Sequence, residues 1–350
     1  MASSIELKTF TFSKTSPALP DSALASPEGN FLGLTRDKLE SPIVFIARAT
    51  EPILPGWDVS TRTILIKLLL KLIYAYYLHF HYNSDMSIQA LLNVNQIAAR
   101  KGASELEFAV KKVHNLDTSK GGPNGYLKAI IRRVEGIVID EIRKFYPEDN
   151  FLGAESGSEI NNSNITWVLK AIDGETNFIN GYPHFALSLC SLIDEVPTTA
   201  VIIDPIRREE FCASKGSGAT LNNGKIRVSK QQGLSEAVIS FFKNDGTKKD
   251  YKYDFDKTYK EIANQDLSLR TSGSIALDLA YISSGRIDAT WAYGIKLWDV
   301  AAGLLIAQES GALISNFNGD PKYLDGDHFI CSSPKVYKSV LKSVKPYFTL

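Results

Sequence analysis

The pattern of apolar and polar positions divides the chain near Met86. From Ser87 to Leu106, apolar residues recur at the spacing of one helix face. A second stretch of this kind covers about residues 126–145 and ends before a proline. After it, short apolar segments of strand length, such as Trp167–Ile172 and Glu209–Ser214, alternate with helical segments. This order predicts an α/β protein in which helices cover the faces of sheets.

Two finer predictions follow from the same pattern. Turn-forming residues are dense between the two helices and predict a loop over 117–125. The consecutive apolar segments Phe185–Ile193 and Thr199–Ile203 predict a pair of strands.

Residues 1–85 lack this regular order. Residues 1–56 are rich in Ser, Thr and Pro, and they lack the basic start and short apolar run of a signal peptide. Residues 64–80 are strongly apolar but include Lys67 and Lys71. Each lysine would cost about 2.5–3.5 kcal/mol near the centre of a bilayer. The segment therefore predicts an amphipathic helix, packed on protein or lying at a membrane surface, rather than a transmembrane helix.

The domain division follows from this contrast. We expect residues 1–85 to be an N-terminal extension and residues 86–350 to form one α/β domain. Two interpretations of the extension stay open: a lineage-specific addition that carries a docking helix, or a stretch that lies upstream of the true translation start at Met86.

Charge and cysteine content narrow the function classes. The 350 residues include 39 basic and 39 acidic side chains, so zero net charge gives no general attraction to nucleic acid or to a membrane. The three cysteines form no CxxC pair and predict buried free thiols in a reducing compartment such as the cytoplasm. The five histidines show no paired ligand spacing, which argues against a zinc enzyme.

Two short motifs carry the candidate chemistry. Asp173 and Gly174 follow an apolar strand, an arrangement that suits a cation and a closely approaching phosphate. Asp299 begins a helical segment, where an acidic residue is also favoured for purely structural reasons. Each feature alone is common in turns and helix starts, whereas the longer patterns around them are specific.

Those longer patterns, Trp167–Phe178 and Trp298–Gly303, resemble the two signatures of the inositol monophosphatase family. The resemblance extends over nearly all of residues 86–350 and is closest to the bacterial SuhB branch. It implies a layered αβαβα sandwich of the sugar-phosphatase type, Mg²⁺-dependent hydrolysis of phosphate monoesters such as phosphorylated sugar alcohols, and a homodimer. The SuhB branch also implies a partner in the transcription machinery.

The resemblance assigns roles to individual positions. Asp173 and Asp299 match two metal-binding carboxylates of the family, and Glu155 could supply an alternative ligand. Ala154 and Lys170 stand where the family has further metal-binding acids. The positions for phosphate and substrate are kept at Gly174, Thr176, Asn177, Gly273 and Ser274.

The catalytic positions of the family are changed as well. Ile131 stands in place of an Asp, and Glu175 stands in place of the Thr that helps that Asp to position the attacking water. Mg²⁺ requires several hard oxygen ligands, with carboxylates central among them. We therefore expect the Lys170 ammonium to pair with Asp173 or Asp299 where a cation would bind, and metal catalysis to be impaired.

Three functions remain open from the sequence. The first is a pseudo-phosphatase that keeps the fold and acts by binding. The second is an active Mg²⁺-dependent phosphatase with altered ligands, acting on a sugar or inositol phosphate. The third is a membrane-associated scaffold, which depends on residues 64–80.

Overall fold

The computed structural model describes residues 88–113, 122–244 and 252–349. All of these lie within one compact unit, Asn83–Leu350. The segment 64–80 and the other sequence-based predictions for residues 1–87 fall outside the described residues, so the domain division and the start at Met86 stay predictions.

Seven helices and fifteen strands are described in these ranges. The α-helices are α1 (88–110), α2 (Gly122–Arg143), α3 (Glu175–Ile179), α4 (Phe255–Ala263), α5 (Ile275–Ser283), α6 (Leu297–Ser310) and α7 (Pro334–Val344). Strands β1–β8 are Asn150–Gly153, Gly157–Glu159, Ile165–Asp173, Ala186–Ile193, Val196–Asp204, Glu209–Ser214, Gly218–Leu221 and Gly224–Lys225. Strands β9–β15 are Val238–Lys243, Lys252–Tyr253, Ser268–Arg270, Ala289–Tyr293, Leu313–Ser315, His328–Ser332 and Phe348–Thr349. Short 3₁₀ turns cover Tyr323–Asp325 and Lys345–Tyr347.

The strands form two main sheets. The first has the order β2-β1-β3-β4-β5-β6-β7-β8 and the second has the order β11-β9-β12-β14-β13, while β10 and β15 pair separately. Strands β4 and β5 are antiparallel neighbours, which confirms the predicted strand pair. The second sheet mixes parallel and antiparallel neighbours, since β12 runs parallel to β9 and antiparallel to β14.

Helices separate and cover the two sheets. Buried residues of α1 and α2 pack with one face of the eight-stranded sheet, and those of α5 and α6 pack with its other face. The opposite sides of α5 and α6 pack on the five-stranded sheet, whose outer face is covered by α4 and α7. The result is an αβαβα sandwich, which confirms the predicted fold class.

One boundary differs from the sequence-based prediction. Helix α2 begins at Gly122, inside the segment that turn residues predicted to be a loop. Pro123 lies in the first turn, where its missing N–H costs no hydrogen bond and its fixed φ suits a helix. Over residues 122–125 the turn signal was therefore a helix start, and residues 117–121 of the predicted loop lie outside the described residues.

The cysteines agree with the prediction from their spacing. Cys190, Cys212 and Cys331 are buried free thiols, and burial raises the pKa of each. Among the described residues, no helix is both long enough and apolar enough to cross a membrane.

Two helical glycines give a matched test of the packing. A Cβ at Gly303 of α6 would lie 2.6 Å from Leu279 Cδ1 and 2.7 Å from Leu279 Cβ on α5. A Cβ at Gly136 of α2 would meet nothing within 4 Å. We expect Gly303→Ala to lower the free energy of unfolding by about 1–3 kcal/mol, because α5 and α6 would be forced apart. Gly136→Ala should raise it by about 0.5–1 kcal/mol, and urea denaturation measures both. Equal effects of the two substitutions would contradict the close helix contact.

Candidate functional site

The site lies at the carboxyl end of β3, where α3, α5 and α6 begin. A bulge shapes this end of the strand, since the pairing with β4 shifts register between Lys170 and Asp173. On a regular strand, positions three apart would face opposite sides of the sheet. Here Ala171 and Ile172 both pack into the core beside α1 and α2. The bulge thereby allows Lys170 and Asp173 to face the same side, toward α5 and α6.

Gly174 lets the chain turn sharply after β3. Its φ of 92° lies in the left-handed region, and a Cβ there would lie 3.0 Å from the carbonyl oxygen of His184. The residue must therefore be glycine for both conformation and space. The short helix α3 is held against the sheet by Phe178, whose buried ring meets Phe185 edge to face at 5.2 Å. Such a pair contributes about 0.5–1.5 kcal/mol beyond its burial.

Asn177 joins this turn to the segment before α5. Its side-chain amide donates to the carbonyl oxygens of His184 at 2.7 Å and Ser272 at 2.9 Å. Gly273, with φ 81°, passes so closely that a Cβ would lie 2.9 Å from Asn177 Nδ2. Asn177 and Gly273 thus fix the backbone of the site. Thr176 is exposed beside them, and its carbonyl oxygen accepts from Asn180.

Asp173 is a fully buried carboxylate that caps α5. Its Oδ2 accepts hydrogen bonds from Ser274 Oγ and from the backbone N–H of Ala276, the latter at 2.9 Å. Burial raises the pKa of Asp173 to about 6, and these two hydrogen bonds oppose the rise. Its carboxylate is therefore already engaged in holding the first turn of α5.

Asp299 has an equivalent role at the start of α6. Its Oδ2 accepts from the backbone N–H of Lys296 at 2.9 Å, so it caps the helix and benefits from the helix dipole. Burial raises the pKa of Asp299 above its usual range, while Lys170 and the Lys296 N–H act against that rise.

Lys170 lies between the acidic groups. Its Nζ is 3.0 Å from Glu175 Oε1 and 3.5 Å from Asp299 Oδ1, and its side chain is 15% exposed. Burial acts to lower the pKa of the ammonium, but Asp299 and Glu175 together outweigh it and the pKa is raised. Asp173 adds to the same effect. The ammonium therefore stays charged and compensates the buried carboxylates.

The remaining family positions do not join this cluster through any described contact. Ile131 is buried in the apolar core beneath the sheet, and Ala154 is half-buried. The side chain of Glu155 is exposed. Its backbone N–H and that of Ser156 donate instead to Glu135, which is 1% exposed and fixes their loop.

Glu135 and Asp278 are polar residues of this region that the motif analysis missed. Each lies on the buried side of a helix, Glu135 on α2 and Asp278 on α5. An acidic residue at a core position of an apolar helix face was the available signal, because such a residue needs a defined partner.

A comparison with protein-family models matches residues 87–347 to the inositol monophosphatase family. The chain belongs to this family. It is 32% identical over 264 residues to the Nus factor SuhB of Pseudomonas aeruginosa, covering 74% of this chain and 97% of the relative. The Nus factor SuhB of Escherichia coli K12 is 33% identical over 259 residues, covering 73% and 96%.

Solved structures agree with the fold. The extragenic suppressor protein suhB of Bartonella henselae matches with a TM-score of 0.65 at 28% identity, covering 73% of this chain and 99% of that one. The inositol monophosphatase of Anabaena matches with a TM-score of 0.62 at 27% identity, covering 73% and 96%.

The family implies Mg²⁺, and the residues around Asp173 do not fit that ion. The Lys170 ammonium lies within ion-pair distance of Asp299 and Glu175. Within residues 88–113, 122–244 and 252–349, no group of three or more His, Cys, Asp or Glu side chains could hold a metal. Since Mg²⁺ requires several oxygen ligands in octahedral geometry, no catalytic step through the ion can be derived from this site.

Removal of the Lys170 charge tests its role in stability. We expect Lys170→Met to lower the free energy of unfolding by about 3 kcal/mol, because it leaves two buried carboxylates without their cation. Lys144→Met is the matched control, since the Lys144 side chain is 58% exposed and its partner Glu141 keeps a second cation, Lys101, so that Lys144 should contribute less than about 1 kcal/mol. Chemical denaturation at pH 7 measures both. Equal losses in the two variants would contradict the role assigned to Lys170.

The raised pKa of Asp173 predicts a pH dependence. Its folded value of about 6 lies above its ordinary value of 3.8, so its contribution to stability is greatest below pH 4 and is lost as the pH rises through 6. Wild type should therefore lose roughly 2.4 kcal/mol relative to Asp173→Asn between pH 4 and pH 7. Parallel denaturation curves across this range provide the measurement. A constant difference between the two proteins would contradict the prediction.

Proposed function

We propose that this chain is a pseudo-phosphatase: an inositol monophosphatase fold that has lost Mg²⁺-dependent hydrolysis and acts by binding. The observation that carries the proposal is the position of Lys170, whose ammonium pairs with Asp299 and Glu175. The lysine supplies in covalent form the positive charge that the family obtains from a metal. The fold around Asp173 is then stable without an ion.

The hydrogen bonds of the acidic residues support the same proposal. Asp173 and Asp299 each use one carboxylate oxygen to cap a helix, so both have a structural role that needs no metal. The family resemblance places an Asp beside the attacking water at position 131. Here that position is Ile131, which is 3% exposed within the apolar core. A buried isoleucine can neither accept a proton nor hold a water molecule in place.

The comparisons suggest the kind of partner. The relatives in Pseudomonas and Escherichia coli are named Nus factors, and their match covers nearly their whole length. We infer for this chain a cytoplasmic role in which a homodimer presents the fold to a protein of the transcription machinery. Binding of a protein partner involves no hydrolytic step in itself, which is consistent with the changed site.

An activity assay separates this proposal from an active phosphatase with altered ligands. Full-length protein would be incubated with Mg²⁺ and a panel of inositol and sugar monophosphates, beside an active family member. We expect no phosphate release and no Mg²⁺-dependent shift in melting temperature. Metal-dependent turnover of any substrate that is abolished by Asp173→Asn would overturn the proposal.

A restoration variant tests the reason for inactivity. The combined substitution Ile131→Asp, Ala154→Glu, Lys170→Asp and Glu175→Thr restores the acids and the threonine that the family resemblance places at these positions. We expect it to bind Mg²⁺ measurably by calorimetry, whereas the wild-type chain should give no binding heat. The matched control keeps Lys170 and carries the other three changes. Equal Mg²⁺ affinity in the control would show that Lys170 does not exclude the metal.

A further inference from the structure

A group of buried hydroxyls lies between α5 and the five-stranded sheet. Ser240 of β9 and Thr290 of β12 are register partners on neighbouring parallel strands, and both are 0% exposed. Two positions along, Phe242 and Ala292 pack into the core shared with α5 and α6. Since side chains two apart on a strand share a face, Ser240 and Thr290 point toward α5 as well.

Asp278 faces these hydroxyls from α5. It is 1% exposed, and the Ser240 hydroxyl lies close enough to favour its charged form. Nevertheless, Asp278 Oδ1, Ser240 Oγ and Thr290 Oγ1 form no hydrogen bond of ordinary geometry with any described residue. These three atoms, on three different elements, are therefore buried without a hydrogen bond of ordinary geometry, although the hydroxyls of Ser272 and Ser240 both lie near the Asp278 carboxyl.

Such a cluster is costly unless a ligand satisfies it. Each buried donor or acceptor without a partner costs about 1–3 kcal/mol, and native proteins leave few of them. Neighbouring strands lie ~4.8 Å apart, and the Ser240 and Thr290 hydroxyls form no direct bond with each other, so one small molecule between them can satisfy both. A buried water molecule typically forms about three hydrogen bonds. The three atoms supply that number.

We propose that Asp278, Ser240 and Thr290 form an internal site that binds one water molecule and joins the first turns of α5 to the five-stranded sheet. The site is separate from the Lys170 cluster, and it does not depend on whether the chain hydrolyses a phosphate. A water fits the chemistry because the hydroxyls can each donate or accept, whereas the carboxyl group offers both an acceptor and, when protonated, a donor.

The charge state of Asp278 fits a neutral ligand. Burial raises the pKa of Asp278 to about 7; the hydroxyls of Ser272 and Ser240 oppose this rise, and Asp173 on β3 adds to it. The facing side chains on β9, β12 and β14 are Ser240, Thr290 and the buried thiol of Cys331, of which none is charged. A protonated Asp278 carries no charge, so a neutral water molecule satisfies the site and no cation is needed.

The site also acts on the candidate functional site through α5. At the start of α5, Ser274 Oγ and the backbone N–H of Ala276 donate hydrogen bonds to Asp173. Ala276 lies two residues before Asp278. A bridge from Asp278 to the sheet therefore holds the turn that holds Asp173.

A high-resolution crystal structure of the full chain at pH 6 tests the site directly. We expect one water within about 3 Å of Asp278 Oδ1, Ser240 Oγ and Thr290 Oγ1. Direct hydrogen bonds among the three side chains, or a dry gap, would overturn the proposal. A sodium or potassium ion, recognised by shorter contacts and higher coordination, would overturn it as well.

A double-mutant cycle tests the same claim in solution. If one water links Asp278 and Thr290, the unfolding constant of Asp278→Asn with Thr290→Val should differ at least about twofold from the product of the single effects. The control cycle pairs Asp278→Asn with Ser214→Ala. Ser214 lies on β6 of the eight-stranded sheet, and its hydroxyl is likewise buried without a hydrogen-bond partner. That cycle should be additive. Additivity in both cycles would overturn the proposal.

The titration of Asp278 supplies a third readout. The ¹³C shift of its carboxyl carbon, assigned by comparison with Asp278→Asn, should show a midpoint near pH 7. Thr290→Val should move this midpoint, because it removes a partner of the bound water. An unmoved midpoint would show that Thr290 and Asp278 share no ligand, and would overturn the proposal.

Discussion

The compensation of buried negative charge by Lys170 is the interaction on which the candidate site depends. A carboxylate taken out of water is stable only when a cation or several hydrogen bonds accompany it. Asp173 and Asp299 receive backbone hydrogen bonds from the starts of α5 and α6, and the Lys170 ammonium supplies the positive charge. In a protein with a metal at this place, the ion would supply that charge. Here the Lys170 side chain on β3 supplies that positive charge permanently.

Under the proposed function, this exchange is how the fold persists without metal-dependent hydrolysis. The glycine turn at Gly174 and the Asn177 contacts to His184 and to the loop before α5 are backbone constraints, and they fix the turn after β3 through protein groups alone. The acids that remain are those with a second, structural role as helix caps. Of the three positions where the resemblance places further acids, Ile131 lies in the apolar core, Ala154 is half-buried, and Lys170 pairs with Asp299 and Glu175.

Much of this could be predicted from the sequence, for physical reasons that differ between residues. The periodicity of apolar positions predicted the layered fold, and the two signatures placed Asp173 and Asp299 at a strand end and a helix start. The pairing of Lys170 with Asp299 was one of two alternatives, because the bulge between Lys170 and Asp173 leaves no mark in the sequence. Glu135 and Asp278 were missed because the groups that face their carboxyl groups are distant in the chain. Glu135 accepts hydrogen bonds from the backbone of the loop after β1, and Asp278 faces the hydroxyls of β9 and β12. The start of α2 was missed because proline and glycine mark both turns and helix starts.

The most direct test of the account is an anomalous diffraction measurement on crystals of the full chain soaked in Mn²⁺, which replaces Mg²⁺ at oxygen sites and scatters strongly. The account predicts no anomalous peak beside Asp173 and Asp299, with Lys170 Nζ in contact with Asp299 and Glu175. A peak coordinated by Asp173 and Asp299, with the Lys170 side chain turned away, would contradict it.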